Sequence, residues 1–364
     1  MSTLRLLRIS MVPCATTKRP RAGLALLLVA AAIGTGACGK EDGAAEFREG
    51  VPYHEDVALV IPGISTQQGA LTATGAAGVT LTRGALVGVG LGAIADSYKL
   101  TRDITDMVNG GTVSVLTLLK TITEFPATTV APDVAVWGPY TGPLDQNTWR
   151  LTVNRLGTGM FHYIFEAKPR GTDDTMYLTI LSGQHNVATP GAQRRANLPA
   201  YGSGNFTLDW DNAQKLPQHD DNVGKAAFTY SRPSPTAPVN IAVMFTQVFD
   251  KDTQMRIDAQ YDYLATPGQG GDFQFMFTKN SIPTTAALET SSVRSRWEDT
   301  GAGRSDIKIV GGDVGAGQAT INECWGTGDT GFGSVYLTNS YGDPAKMWGA
   351  ESACGIASAD YATF

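Results

Sequence analysis

The sequence predicts a mainly β (α+β) fold: a wide antiparallel meander sheet, strongly curled or barrel-like, with N-terminal helices packed on its apolar face. Three observations predict it. From Trp149 onward apolar and polar residues alternate with a period of two, as half-buried strands require. Between about residue 85 and residue 125 the apolar residues recur instead with a helical period. The composition, 42 glycines and 18 prolines with only 17% charged residues, suits a turn-rich β protein and is too apolar for a disordered chain.

Residues 1–37 read as an export signal. All five cations of this stretch (Arg5, Arg8, Lys18, Arg19, Arg21) precede an apolar run, Leu24 to Ile33, which is followed by Gly34-Thr-Gly-Ala-Cys38. A positive region, a short apolar core and small residues before a cut are the pattern of a secretory signal. The apolar run is too short for a bilayer span, which needs ~20 residues. Cys38, directly after Gly36-Ala37, resembles the lipobox cysteine of bacterial lipoproteins, although Thr35 stands where that family usually has leucine. The resemblance implies lipidation at Cys38 and an outer-membrane lipoprotein; Thr35 and Ala37 also suit an ordinary signal peptidase, which would leave a secreted or periplasmic soluble protein. Residues 38–55 then form the lipidated N-terminus and a tether.

Residues 56–130 are expected to be a helical, glycine-rich segment covering the sheet. Leu100, Ile104, Met107 and Val108 share one helical face, Asn109-Gly110-Gly111 has the features of a helix stop, and Val115, Leu118, Leu119 and Ile122 continue as a second short helix ended by Pro126. Leu86 to Ala95 is ambiguous between helix and strand.

Residues 131–364 are expected to be the antiparallel β domain. Trp149, Leu151 and Val153 alternate with Arg150, Thr152 and Asn154; Gly157-Thr-Gly159 marks a turn, and Phe161, Tyr163, Phe165 and Ala167 answer on the next strand. Met176 to Ile180, Phe206 to Trp210, and Phe228 with Tyr230 repeat the scheme. The clearest hairpin joins Val239–Phe249 to Met255–Tyr263, followed by Phe273, Phe275 and Phe277 and by weaker strands up to Ser340. A sheet of ten or more strands must curl or pack against something to hide its apolar face. A closed barrel and a sheet wrapped over helices both satisfy this.

Removing the five leader cations from 28 basic residues leaves 23 against 34 acids, a net charge of −11, which disfavours nucleic acid as a partner. Of four cysteines, Cys14 lies in the leader and Cys38 is the lipidation candidate. Cys324 and Cys354 remain as an even pair in an oxidising compartment, read as one disulfide.

Five segments, Ser97-Tyr-Lys-Leu-Thr-Arg102 with Asn109-Gly-Gly111, Trp137-Gly-Pro139, Gly301-Ala-Gly-Arg-Ser-Asp306 and Glu323-Cys-Trp325, resemble a group of uncharacterised bacterial lipoproteins with a β-rich mature domain. That resemblance implies no activity. In outline alone, a sheet over helices is similar to periplasmic lipoprotein carriers of the LolA/LolB type.

Catalytic patterns are weak. His54, His162, His185 and His219 show no metal-ligand spacing, G-x-S-x-G is absent, and Tyr201-Gly-Ser-Gly204 reads as a loop. Gly90-Leu-Gly92-Ala-Ile-Ala95 matches a dinucleotide fingerprint only superficially. Asp209-Trp-Asp211, His219-Asp-Asp-Asn222 and Asp250-Lys-Asp252 read as turns. No catalytic, cofactor or metal residue is assigned. The expected role is therefore a non-catalytic structural or interaction protein of the cell envelope, held at the membrane by a lipid anchor. The alternative is a carrier of an apolar ligand or lipid in a pocket between sheet and helices, lined by Phe161, Tyr163, Phe165, Tyr261, Phe273 and Phe275; the favoured reading of that face is a dry core packed on the helices.

Overall fold

A computed structural model describes residues 43–63, 90–190, 201–250, 255–279, 285–327, 331–341 and 344–364. The expected signal segment, Cys38 and the glycine-rich stretch up to residue 89 lie outside the described residues.

Fourteen strands form one antiparallel sheet in strict chain order. They are β1 (Thr129–Ala131), β2 (Val134–Tyr140), β3 (Asn147–Gly157), β4 (Met160–Pro169), β5 (Leu178–Val187), β6 (Gly202–Asp209) and β7 (Lys225–Arg232), then β8 (Val239–Asp250), β9 (Met255–Thr266), β10 (Gly270–Lys279), β11 (Glu289–Trp297), β12 (Gly303–Gly311), β13 (Gln318–Gly326) and β14 (Gly333–Asn339). The period-two pattern explains them. On β4, Phe161, Tyr163, Phe165 and Ala167 are buried while His162, Ile164 and Glu166 between them are half-buried. On β8, Ile241, Val243 and Phe245 point to the core, and a bulge then restores the phase so that Val248 is buried too. Gln247 carries that bulge with φ 54°, and its backbone N–H donates to Asp258 Oδ1 at 2.8 Å.

The sheet is neither closed nor strongly curled, which corrects the barrel-like expectation: β1 and β14 are the ends of a linear order. Closure would need a free edge on β14, and that edge is already used. Gly92 N donates to Ser334 O, Ser334 N to Ala93 O, and Ala95 N to Phe332 O, while Leu337 and Trp348 exchange both of their backbone hydrogen bonds. At the other end β1 is only three residues long and largely exposed, a short edge of the kind that resists further pairing.

Helices α1 (Ala45–Glu49), α2 (His54–Val57), α3 (Asp96–Glu124) and α4 (Trp210–Ala213) accompany the sheet. The expected stop at Asn109-Gly110-Gly111 does not occur, and α3 runs unbroken through 29 residues. Gly110 does not adopt the positive φ that ends a helix. Two helical glycines cost about 1 kcal/mol each relative to alanine, whereas burying Ile104, Val108, Leu116, Leu119 and Ile122 along one face contributes about 1.5–3 kcal/mol per side chain. Asn109 gains a tertiary role, its amide accepting from Leu59 N and donating to Leu59 O, both at 2.8 Å.

Specific polar contacts tie α3 to the sheet. Ser97 N and Oγ donate to Glu323 Oε2 on β13 at 2.8 and 2.7 Å, and Trp137 Nε1 on β2 donates to Phe125 O just past the helix end at 2.9 Å. Thr101 Oγ1 lies 2.6 Å from Ser295 Oγ, which lies 2.9 Å from Ser305 Oγ, a buried hydroxyl chain from α3 to β11 and β12. Thr101→Val is expected to destabilise the domain by about 1–2 kcal/mol in urea unfolding. Combined with Ser295→Ala, the two losses should sum to more than the double variant shows, because they remove one shared interaction. Additive losses would mean that the hydroxyls act separately.

The tether expected up to residue 55 is docked rather than free from Ala44 onward. Phe47 is 2% exposed and meets Phe161 edge to face, and Glu46 pairs with Arg155 at 2.6 Å. Farther on, Tyr263 Oη donates to Val60 O at 2.7 Å and accepts from Val60 N at 3.1 Å. Burial pushes this phenol up to about 12. Apolar residues between 44 and 61 thus complete the core.

Candidate interaction surface

The six aromatic residues proposed to line a pocket are all buried and belong to one core. They fall into two groups, Phe161, Tyr163 and Phe165 on β4, and Tyr261, Phe273 and Phe275 on β9 and β10. A ladder of rings runs between them on the intervening strands. Phe206 stacks on Phe228 at 4.5 Å between centroids, Phe228 meets Phe245 at 6.2 Å, and Phe245 meets Tyr261 at 5.4 Å. The ladder was visible as alternation, but its continuity across strands depends on register. Each ring stands beside the next because Phe206 pairs with Phe228, and β7 with β8 and β9 are aligned with their aromatic positions on one face.

A polar group interrupts this face. His185 Nδ1 lies 2.6 Å from Tyr230 Oη, both side chains are buried, and Tyr163 Oη donates to Asn205 O at 3.3 Å. Burial holds the Tyr163 phenol well above its ordinary value. Glycines make the room. A Cβ on Gly204 would lie 2.6 Å from Tyr230 Oη, and one on Gly183 2.7 Å from Tyr163 Oη. Both would also collide with the backbone of the neighbouring strand. Gly204→Ala is therefore expected to cost about 1–3 kcal/mol through overpacking. A thermal melt unchanged by that substitution would show that the strand pair yields easily.

The other side of the sheet is polar. Across β5 to β9, Gln184, Asn205, Thr229, Ala242 and Asp262 stand in one row of register partners, and Ser182, Thr207, Ala227, Met244 and Gln260 in the next. With strands about 4.8 Å apart, these rows extend for roughly 19 Å. Asn205, Thr207, Ala227, Thr229, Ala242 and Met244 are exposed, and Asp262 is the only charged member of either row. Across β10 to β13 the same side is charged and is overlaid by the C-terminal residues. Cys324 and Cys354 are joined there, their Cα atoms 5.6 Å apart.

The remaining sequence candidates have structural roles. Tyr201-Gly-Ser-Gly204 is not a loop, since Gly202–Asp209 is strand β6 and Ser203 pairs with Ser231. Asp209 caps α4 by accepting from Asn212 N at 2.9 Å, Asp211 accepts from Gly224 N at 2.9 Å, and Asp220 from Asn222 N at 3.0 Å. His162 is half-buried on the outer side of β4, and His219 is exposed. Gly92 to Ala95 runs along β14, and the helix N-terminus after it is filled by the Glu323 carboxylate, where a phosphate would meet like charge. Among the described residues no three His, Cys, Asp or Glu side chains gather as metal ligands. No described helix is long and apolar enough to cross a membrane.

Comparison with known proteins gives no match to a family model, a curated protein or a solved structure. The functional reading rests on this chain's own surfaces.

Proposed function

We propose that this chain is an exported, lipid-anchored protein of the cell envelope, attached to the outer membrane through Cys38, whose role is structural or interactive rather than catalytic. Its working surface is the outer side of β5 to β9. The observation that supports this reading is the division of the sheet. One side is filled by the aromatic ladder and the apolar residues of α1 to α3, while Gln184, Asn205, Thr207 and Thr229, interspersed with Ala227, Ala242 and Met244, remain open to solvent over several strands. Such a face offers hydrogen-bonding groups at fixed spacing with little charge, which fits a protein or glycan partner better than nucleic acid.

The test places a photo-crosslinking residue at Asn205 or Thr229 of the full chain in its native cells, with Leu144 as a control position in the β2–β3 loop. Adducts of discrete mass from Asn205 and Thr229 but not from Leu144 support the reading. An absence of adducts, or the same pattern from all three, overturns it. Anchoring is tested separately, since Cys38→Ser should move the protein from the membrane to the soluble fraction. A carrier of an apolar ligand is the alternative, with the ring groups around Phe161 and Phe273 parting to admit it. Native mass spectrometry of the lipid-free domain distinguishes the two, because a stoichiometric apolar species would favour the carrier.

A further inference from the structure

The outer side of β11 and β12 carries three arginines that share only two carboxylates of the sheet. Arg294 binds Asp272 through Nε and Nη2, at 2.9 and 2.6 Å to Oδ2. Asp306 is fully buried and serves both other guanidiniums, accepting from Arg304 Nε and from Arg296 Nη2 at 2.8 Å each. It also accepts from Asn322 Nδ2 at 2.7 Å. Taken without the C-terminal residues, this patch has an excess of positive charge on an otherwise acidic protein.

The chain's own end supplies the missing anions. Asp360 Oδ2 lies 2.7 Å from Arg294 Nη1 and 3.9 Å from Arg296 Nη1, and its backbone N–H donates to Asp306 Oδ2 at 3.0 Å. Glu351 Oε1 accepts from Arg304 Nη1 at 2.8 Å, and Ser358 O accepts from Arg296 Nη2 at 2.7 Å. Tyr361 Oη and Thr363 N extend the contact to Asn322 and Gln274. This strap contains no described strand, and one covalent bond, Cys324–Cys354, joins it to β13. The fit also leaves a donor unused, since Arg296 Nε is buried and has no hydrogen-bond partner among the described residues. The Asp360 carboxylate is nearly half exposed, so solvent reaches the mouth of the patch.

We propose that Arg294, Arg296 and Arg304 form an oxyanion-binding site that the C-terminal strap occupies with Asp360 and Glu351, and that reduction of Cys324–Cys354 opens it to a carboxylate- or phosphate-bearing ligand. Guanidiniums held rigidly on adjacent strands suit the planar, bidentate recognition that such anions require. The opening step needs a dithiol reductant. Its thiolate attacks one sulfur to give a mixed disulfide, and its second thiolate then displaces the other cysteine. Two electrons and two protons end on Cys324 and Cys354 as thiols, and the reductant leaves as its own disulfide. This inference is independent of the surface on β5 to β9.

The experiment is isothermal titration of the full chain, oxidised and dithiol-reduced, with inorganic phosphate and separately with N-acetyl-aspartate. The reduced protein is expected to bind at least one probe tenfold or more tightly than the oxidised protein, and Arg294→Gln should abolish that gain. The tighter probe assigns the ligand as phosphate or carboxylate. Equal affinity in the two redox states, or a gain that survives Arg294→Gln, overturns the proposal. Should reduction unfold the sheet, shown by loss of the near-ultraviolet signal, Asp360→Asn in the oxidised chain decides. A threefold or greater rise in probe affinity sustains the site, and an unchanged affinity sinks it.

Discussion

Trp137→Ala is expected to lower the stability of the domain by about 4 kcal/mol, the range for truncating a fully buried large side chain. Trp137 stands near the β1 end of the sheet, and its indole does two things there. Its rings fill the core beneath β2 and β3, opposite Leu151, and its Nε1–H holds Phe125 O at the end of α3. Alanine leaves a cavity and removes one of the two donors to Phe125 O, the other being Arg48 Nη2 at 3.2 Å. Trp137→Phe separates the two effects, since it keeps most of the apolar volume and loses the donor, and it should cost nearer 1–2 kcal/mol. Both are read from urea midpoints at constant m-value. A Phe variant as damaging as the Ala variant would show that the hydrogen bond, not the packing, couples helix and sheet.

Glu323→Ala is expected to cost about 3 kcal/mol, because it strands the backbone N–H and the hydroxyl of Ser97, both in a site closed to water. The carboxylate is also the counter-charge at the N-terminus of α3. Glu323→Gln retains an oxygen for Ser97 and should cost about 1 kcal/mol near neutral pH, less than the truncation. The two glutamate states differ in a way that pH reveals. Burial raises the Glu323 carboxyl above its ordinary value, against the hydrogen bonds from Ser97 and Ser334 that pull it down. Burial raises Asp96 at the start of the helix as well, against Lys99. The folded state therefore holds these protons more tightly than the unfolded chain does. Their contribution to stability is full below the ordinary carboxylate range and is lost as pH rises through the raised values. Across that window the wild type should lose stability relative to Glu323→Gln. Unfolding midpoints taken from pH 4 to pH 8 that run parallel for the two proteins would contradict this assignment.

Much of the sheet was legible in the residues themselves. Phe161, Tyr163 and Phe165, or Tyr261, Phe273 and Phe275, announce a strand and its buried side by alternation alone, and each is buried on the side that alternation assigns. Strand β2 was less visible, since Gly138-Pro139 breaks the alternation after Trp137. The two-helix reading around Asn109-Gly110-Gly111 failed for a physical reason. A glycine pair lowers local preference by an amount that the buried face of α3 exceeds, and no local pattern reports that burial. Phe47 could not be told from a tether residue, because Phe161, the ring it packs against, lies on a strand more than a hundred residues away.

The polar side of the sheet was likewise half legible. Its composition was plain from alternation, but not the contrast between the open rows of β5 to β9 and the strapped arginines of β11 and β12. That contrast depends on where the last fifteen residues lie, and Cys324, Asp306 and Arg294 hold them there by long-range contacts.

The amino-acid sequence by itself determined the class of the domain, the two-sided character of its strands and the pairing of its last two cysteines, because period, composition and cysteine count are local properties that burial and oxidation act on directly. Only the tertiary structure decided that the sheet ends at β1 and β14 without closing, that α3 continues through its glycines, and that the strap neutralises three arginines. Those outcomes turn on which backbone edge, apolar face or charge meets which distant partner, and that choice is made by the sum of contacts across the whole chain.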